Sequence, residues 1–272
     1  MKTETTHNVT LPKIGFGTAK VGGNIIQSHS REAEYLAALR SALELGYTHF
    51  DTAEIYALGY AEELIGRAIR EMGTKRENLF ITSKVWPTNL SYKGVLRACE
   101  NSLRRLGTDY LDLYLVHWPN PFVPLKGTFR ALNQLVRGGR VRHVGVSNFD
   151  VKRLKEAGSL SETPIIANQI PYSLTARSYV QNGALEYCQQ NDILVTAYTP
   201  VDHGHLQVHT ALETIAEAHG ATIYQIALAW LVNQPRVITI PMSFDPQHQK
   251  ENLQAADIEL TQDEMLQLGA VA

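Results

Sequence analysis

Four side chains of different chemistry fall at or just beyond the ends of short apolar runs. Asp51 lies in His49-Phe-Asp-Thr-Ala53, Tyr56 follows in the next loop, Lys84 lies in Thr82-Ser-Lys-Val85, and His117 ends the run that begins at Leu111. Taken singly, each has a plain structural explanation: a capping Asp, a packed Tyr, a surface Lys, a hydrogen-bonded core His. Taken together they form a proton-donating set. A Lys at the end of an apolar run enters a partly desolvated site, where a carboxylate such as Asp51 keeps it charged. A phenol with its ordinary pKa of about 10 is a poor acid at neutral pH. An ammonium beside it favours the phenolate, so Lys84 is expected to lower the Tyr56 pKa and improve it as a donor to a carbonyl oxygen gaining negative charge. His117 is placed to donate a hydrogen bond to the same oxygen.

The elements that must position these residues are legible as short β-branched runs at 14–18, 49–53, 79–85, 111–117, 141–147, 165–170, 193–199 and 237–241. Between them, apolar residues recur at helical spacing, as in Leu64, Ile65, Ala68, Ile69 and Met72, or Leu96, Cys99, Leu103 and Leu106. Gly46 and Gly107 stand where such helices should stop. Runs such as Leu111-Asp-Leu-Tyr-Leu-Val116 are apolar on both faces, which suits a parallel sheet covered by helices. Eight strand and helix units in 272 residues predict an α/β fold, a single-domain (β/α)8 TIM barrel spanning 1–272. An open doubly wound sheet predicts a glycine fingerprint after the first strand, but Gly15-Phe-Gly17-Thr-Ala-Lys20 puts Lys20 where the third glycine belongs. The segment 8–12 reads as a strand or hairpin at the barrel floor.

In a barrel of this kind the site forms at the C-terminal ends of the strands, which is where Asp51, Lys84 and His117 fall. The 25 basic and 27 acidic residues are spread along the chain without a basic stripe, so nucleic acid is not an expected partner. No apolar run is long enough to span a bilayer and the first ten residues are polar, so the chain reads as a cytoplasmic protein with no membrane partner. Cys99 and Cys188 read as small buried hydrophobes, unpaired in a reducing compartment.

Six segments carry a resemblance over nearly the whole chain: Gly46-Tyr-Thr-His-Phe-Asp-Thr-Ala-Glu-Ile-Tyr56, Ile81-Thr-Ser-Lys-Val-Trp86, Leu113-Tyr-Leu-Val-His-Trp-Pro119, Gly145-Val-Ser-Asn-Phe149, Asn168-Gln169 and Ile240-Pro241. In this order they resemble the aldo-keto reductases, in particular the short prokaryotic-type members. The resemblance implies a catalytic tetrad of Asp51, Tyr56, Lys84 and His117, with direct hydride transfer from a nicotinamide to a carbonyl carbon and Tyr56 as general acid. It further implies that Ser147, Asn148 and Gln169 hold the nicotinamide carboxamide and that Tyr198 stacks on its ring. Plainer readings are a helix cap for Ser147-Asn148 and core packing for Tyr198. A serine-hydrolase elbow at Gly145-Val-Ser147 would need glycine at position 149, which is Phe149.

The chain departs from the family at the adenosine end. NADPH-preferring members follow Ile-Pro with Lys-Ser and place an Arg several residues later; here Met242 takes the place of the Lys and His248 that of the Arg, while Ser243, Glu251 and Asn252 match the remaining contacts. Loss of a bidentate guanidinium weakens selectivity for the 2'-phosphate, so the expected cofactor is NADP(H) or NAD(H), with relaxed choice. The segment Asp202-His-Gly-His-Leu-Gln-Val-His209 gathers His203, His205 and His209 near the cofactor site; with no scaffold fixing tetrahedral geometry it is read as a polar loop and no metal is expected. The chain ends soon after a helix expected at 261–268, so substrate contacts should come from Trp86, Trp118, Ile55, Phe122 and the loop around His203. An apolar wall with few charges suits aldehydes or small ketones, handled by a monomer. Two other readings compete. One is a nicotinamide-binding sensor or subunit with vestigial turnover. The other is an isomerase or aldolase using Lys84 as a Schiff-base nucleophile, which leaves Tyr56, Asn148 and Gln169 without roles.

Overall fold

The computed structural model describes residues 2–206 and 209–270. It opens with an antiparallel hairpin, β1 (Thr3–Thr6) and β2 (Val9–Pro12). Eight parallel strands follow: β3 (Phe16–Gly17), β4 (His49–Asp51), β5 (Phe80–Val85), β6 (Leu111–Val116), β7 (Val141–Ser147), β8 (Ile165–Pro171), β9 (Leu194–Tyr198) and β10 (Val237–Thr239). Each pairs with its neighbour in chain order, as expected of strands joined by helical crossovers. A parallel bridge between Ile14 and Thr239 joins the two ends of the sheet. There the Gly15 amide donates to Thr239 O (2.8 Å), the Thr239 amide to Lys13 O (2.9 Å) and the Gly17 amide to Pro241 O (3.1 Å). The sheet is thereby closed into a barrel, and the open-sheet alternative falls.

The helices are α1 (Glu32–Glu44), α2 (Tyr60–Glu71), α3 (Tyr92–Leu106), α4 (Leu125–Arg137), α5 (Val151–Leu160), α6 (Ser178–Gln181), α7 (Ala184–Gln190), α8 (Thr210–Ala218), α9 (Ile223–Val232), α10 (Pro246–Gln254) and α11 (Gln262–Gly269). The spacing read from sequence is realised in α2, which buries Leu64, Ile65 and Ala68, and in α3, which buries Cys99, Leu103 and Leu106. Helix α3 starts at Ser91, whose side chain accepts from the Gly94 amide, and stops at Gly107, which takes the left-handed conformation that a residue without Cβ adopts most readily. Helix α11 is opened by a capping box between Thr261 and Glu264.

The barrel floor is sealed from below. Leu11 of the hairpin is 1% exposed and joins Leu113, Leu115, Ile166, Leu194 and Ile238 in a separate apolar cluster. Lys13 reaches Glu4 (2.6 Å) and the carbonyls of Gln234 and Val237 (3.1 Å each), pinning the hairpin to the start of β10. Apolar packing therefore fills the lower barrel and leaves polar side chains to the upper rim. Cys99 and Cys188 are both buried and free. No helix among the described residues is long and apolar enough to cross a membrane.

Candidate active site

Side chains of a β-strand alternate between faces, so Asp51 and Lys84 at the ends of β4 and β5 and His117 just past β6 sit one layer above inward residues such as His49, Thr82 and Leu115. Lys84 is fully buried, Asp51 is 1% exposed and His117 is 8% exposed. The Lys84 ammonium donates to Asp51 Oδ1 at 2.6 Å, to the Thr52 carbonyl at 2.8 Å and to Tyr56 Oη at 3.3 Å. An ammonium has three protons, and all three are accounted for. Because Lys84 donates to Tyr56 Oη, the phenol's own proton is free to point elsewhere. The His117 ring stands edge-on to Tyr56, with centroids 5.8 Å apart, and to Trp86 at 5.2 Å. Its Nδ1 is buried without a partner.

The electrostatics differ from the sequence expectation at Tyr56. Burial pushes the phenol above its ordinary pKa, and the opposing pull of Lys84 is too small to reverse this, with Asp51 adding to the rise. Burial also disfavours the charged form of Lys84, but Asp51 and Tyr56 outweigh it and the ammonium is held above its ordinary value. Burial, reinforced by Lys84, pushes His117 down to about 2, so the imidazole is neutral. The site thus holds a protonated phenol, a charged lysine and a neutral imidazole.

The residues assigned to the carboxamide join the same network. Gln169 Nε2 donates to Asp51 Oδ2 across the barrel (2.7 Å), and Ser147 Oγ donates to the Gln169 carbonyl (2.9 Å). Asn148 Nδ2 donates to the His117 carbonyl (3.0 Å) and to Ser147 Oγ (2.9 Å), while Tyr198 Oη donates to Asn148 Oδ1 (3.0 Å). Asn148 adopts φ of 63°, a conformation asparagine tolerates better than most residues. Two primary amides and a hydroxyl on adjoining strands, beside a half-buried phenol, present both donors and acceptors, which is the chemistry a carboxamide requires. This donor set fits a nicotinamide.

The loop that carries Tyr56 has an unusual backbone. Ala57, Leu58 and Gly59 all take positive φ (46°, 53° and 91°), one turn of left-handed backbone leading into α2. The Ala57 amide is held by the Asn24 carbonyl (3.2 Å). Beneath the turn, Glu62 is fully buried and accepts from Ser83 Oγ (2.6 Å) and Arg105 Nε (2.7 Å), tying α2 to α3 and to the residue before Lys84. None of this was read from the sequence; Gly59 was the one local signal.

Of the residues expected to contact adenosine, Ser243, Glu251 and Asn252 are half-buried on and before α10, and His248 is exposed. Met242 packs against the core, so no charge stands at its position. Among the expected substrate contacts, Trp86 lies against His117 and its backbone amide donates to Glu54 (2.5 Å). Ile55 is half-buried in the Tyr56 loop, Trp118 is 42% exposed and Phe122 is 91% exposed. His203, His205 and His209 are exposed, and positions 207 and 208 of that segment lie outside the described residues. No group of three His, Cys, Asp or Glu side chains converges on a metal position among the described residues. His49, one layer below Asp51, went unremarked in the sequence: it is 1% exposed, contacts Thr82 Oγ1 at 3.1 Å, and burial pushes its pKa down to about 4.

A rim that offers a protonated phenol beside an amide-lined slot defines a class, the carbonyl-reducing oxidoreductases that use a nicotinamide. The chain belongs to the aldo/keto reductase family, whose profile matches residues 13–272. It is 38% identical over 267 residues to methylglyoxal reductase YeaE of Escherichia coli (strain K12), covering 96% of this chain and 91% of that enzyme. It is also 38% identical over 267 residues to glyoxal reductase of Bacillus subtilis (strain 168), covering 97% and 91%. Among solved structures, the thermostable aldo-keto reductase Tm1743 in complex with the inhibitor epalrestat superposes with a TM-score of 0.97 at 45% identity, over 100% of both chains. The aldo/keto reductase from Klebsiella pneumoniae in complex with NADP and acetate gives 0.87 at 38% identity, over 98% of this chain and 94% of that one.

Proposed function

We propose that Tyr56 is the general acid of an NAD(P)H-dependent reductase of small aldehydes and ketones, and that 1,2-dicarbonyls of the glyoxal and methylglyoxal type are its preferred substrates. The observation that carries this reading is the triple engagement of Lys84 by Asp51, Thr52 and Tyr56, with Gln169 linking Asp51 to the amide slot. When bound, the nicotinamide supplies the hydride. Ser147, Asn148 and Gln169 would hold its carboxamide, Tyr198 would stack on its ring, and Ser243, His248, Glu251 and Asn252 would receive the adenosine. His117 Nε2 donates to the carbonyl oxygen and orients it, and Tyr56 delivers its proton as negative charge develops there. Its raised pKa keeps that proton in place until then. Lys84 stabilises the phenolate left behind. The apolar Trp86, Ile55, Trp118 and Phe122 offer contact without charge, which suits a small neutral substrate. The relatives that act on methylglyoxal and glyoxal support that substrate class. The whole chain, 1–272, acts as one domain, a cytoplasmic monomer.

Replacing Tyr56 with Phe should lower kcat for methylglyoxal by roughly 10²- to 10⁴-fold while leaving the affinity for NADPH and NADH, followed by quenching of tryptophan fluorescence, nearly intact. Unchanged turnover removes Tyr56 from its role. Tight cofactor binding by the natural sequence with no turnover across a panel of aldehydes favours the sensor reading instead. Because Lys84 is a fully enclosed ammonium, borohydride should trap no substrate on it.

A further inference from the structure

A groove of about 600 Å³ lies outside the tetrad, between the loop after β3, the start of α1 and the segment after β10. Its charged lining residues are Lys20 and Arg31, and Tyr35 and Phe244 form an aromatic wall. The Arg31 guanidinium lies 5.5 Å from the Tyr35 ring centroid and 5.3 Å from that of Phe244. Planar guanidinium against aromatic faces is a fixed, weakly hydrated arrangement suited to gripping a phosphate. Arg31 Nε and Nη2 donate to Glu34 (2.6 Å each), and Nη1 has no hydrogen bond among the described residues. That pair is half-exposed on both sides, a kind that contributes little and yields readily to a doubly charged group. Lys20 takes part in no ion pair among the described residues.

The groove reaches the segment proposed to receive the adenosine, because Phe244 of its wall follows Ser243 in the chain. A dinucleotide with its carboxamide at the ends of β7 and β8 and its adenosine at α10 would have to pass the ends of β9 and β10, which neighbour β8 in the sheet, and so come near Ser243, the residue before Phe244. There Met242 supplies no charge.

The geometry points to Arg31, assisted by Lys20, as a binding site for a phosphate monoester, the 2'-phosphate of NADP(H), reached from α1 and not from the usual positions 242 and 248. This rests on the proposed cofactor reading, and it replaces relaxed cofactor choice with an NADPH preference set by a relocated arginine.

Calorimetry with 2',5'-ADP, 5'-ADP and inorganic phosphate tests it on the intact chain. The natural sequence should bind 2',5'-ADP more tightly than 5'-ADP. Arg31→Ala should reduce that ratio by roughly 10- to 100-fold with 5'-ADP affinity unchanged, which also shows that the variant is folded. His248→Ala, at a residue proposed to receive the adenosine, should change both affinities together and so keep the ratio. The proposal is overturned if the natural sequence shows no preference, if Arg31→Ala leaves the ratio intact, or if His248→Ala abolishes it. Inorganic phosphate binding as tightly as 2',5'-ADP in an Arg31-dependent way makes this a free-phosphate site and overturns the cofactor assignment. Fluorescence titration with NADH and NADPH separates the two levels. Failure to bind either one removes the cofactor reading itself, whereas equal binding of both removes Arg31 alone.

Discussion

The buried ammonium of Lys84 and the carboxylate of Asp51 depend on one another, since neither has water to fall back on. Asp51→Asn should destabilise the fold by about 3–5 kcal/mol in urea unfolding, because it leaves an enclosed cation without its counter-charge. A loss under about 1 kcal/mol would mean that Lys84 is neutral or hydrated in the variant. The two buried histidines make a different demand. Their ordinary value is 6.5, and in the fold His49 is pushed to about 4 and His117 to about 2, so below pH 6.5 the unfolded chain takes up protons that the folded one refuses. Stability is therefore complete above pH 6.5 and falls as the pH drops, by about 1.4 kcal/mol per pH unit for each histidine. The His49 share ends near pH 4 and that of His117 continues to about 2. Urea midpoints that do not move between pH 6.5 and 4.5 would contradict this. That Asp51, Tyr56, Lys84 and His117 come together was legible because three of them fall at strand ends and the fourth follows in the next loop. The direction of the Tyr56 shift was not, since it depends on how completely the barrel excludes water, and no local pattern of residues encodes that.

Among the elements, the strands were readable to within a residue or two, and their order fixed the barrel. The left-handed turn after Tyr56 was not readable, because Ala57 and Leu58 carry no preference for positive φ and are held there by tertiary contacts. Gly59 shows how closely the turn is packed. A Cβ added there would lie 2.4 Å from Arg105 Nε, the group that balances fully buried Glu62. Gly59→Ala should cost about 2 kcal/mol or more, from the strained φ and the displaced guanidinium together. It should also lower kcat more than it changes KM, since the turn sets where Tyr56 stands. Stability and kcat both at the natural level would show that the turn carries no such constraint. Asn148 is the opposite case, a positive φ that its own residue type advertised.

Across the whole molecule, the N-terminal hairpin seals one end of the barrel and the buried network of Asp51, Lys84 and Tyr56 lies at the other. Leu11→Ala should cost about 2–5 kcal/mol through the cavity it opens against Leu113, Leu115 and Ile238. Activity per folded molecule should be unchanged, because that floor lies below the layer holding Asp51 and Lys84. A fall in kcat matching the loss of stability would show the two ends to be coupled. The hairpin was half visible, since 8–12 reads as a strand or hairpin at the floor while its partner strand Thr3–Thr6 gave no signal. That Leu11 plugs the floor was not visible, because its partners come from four strands far along the chain.

The seclusion of Lys84 bears on how long each molecule lasts at its work. Dicarbonyls condense with amines and guanidines that can offer a lone pair, and an enzyme that handles them is bathed in a reagent for its own side chains. A fully enclosed, ion-paired lysine offers neither access nor a lone pair, so the chemistry at the barrel mouth is protected while surface cations are not. Arg31, about half-exposed, stands among the unprotected. On the proposed dicarbonyl substrates and the proposed Arg31 site, wear during turnover should strip away the discrimination between cofactors well before it touches proton delivery.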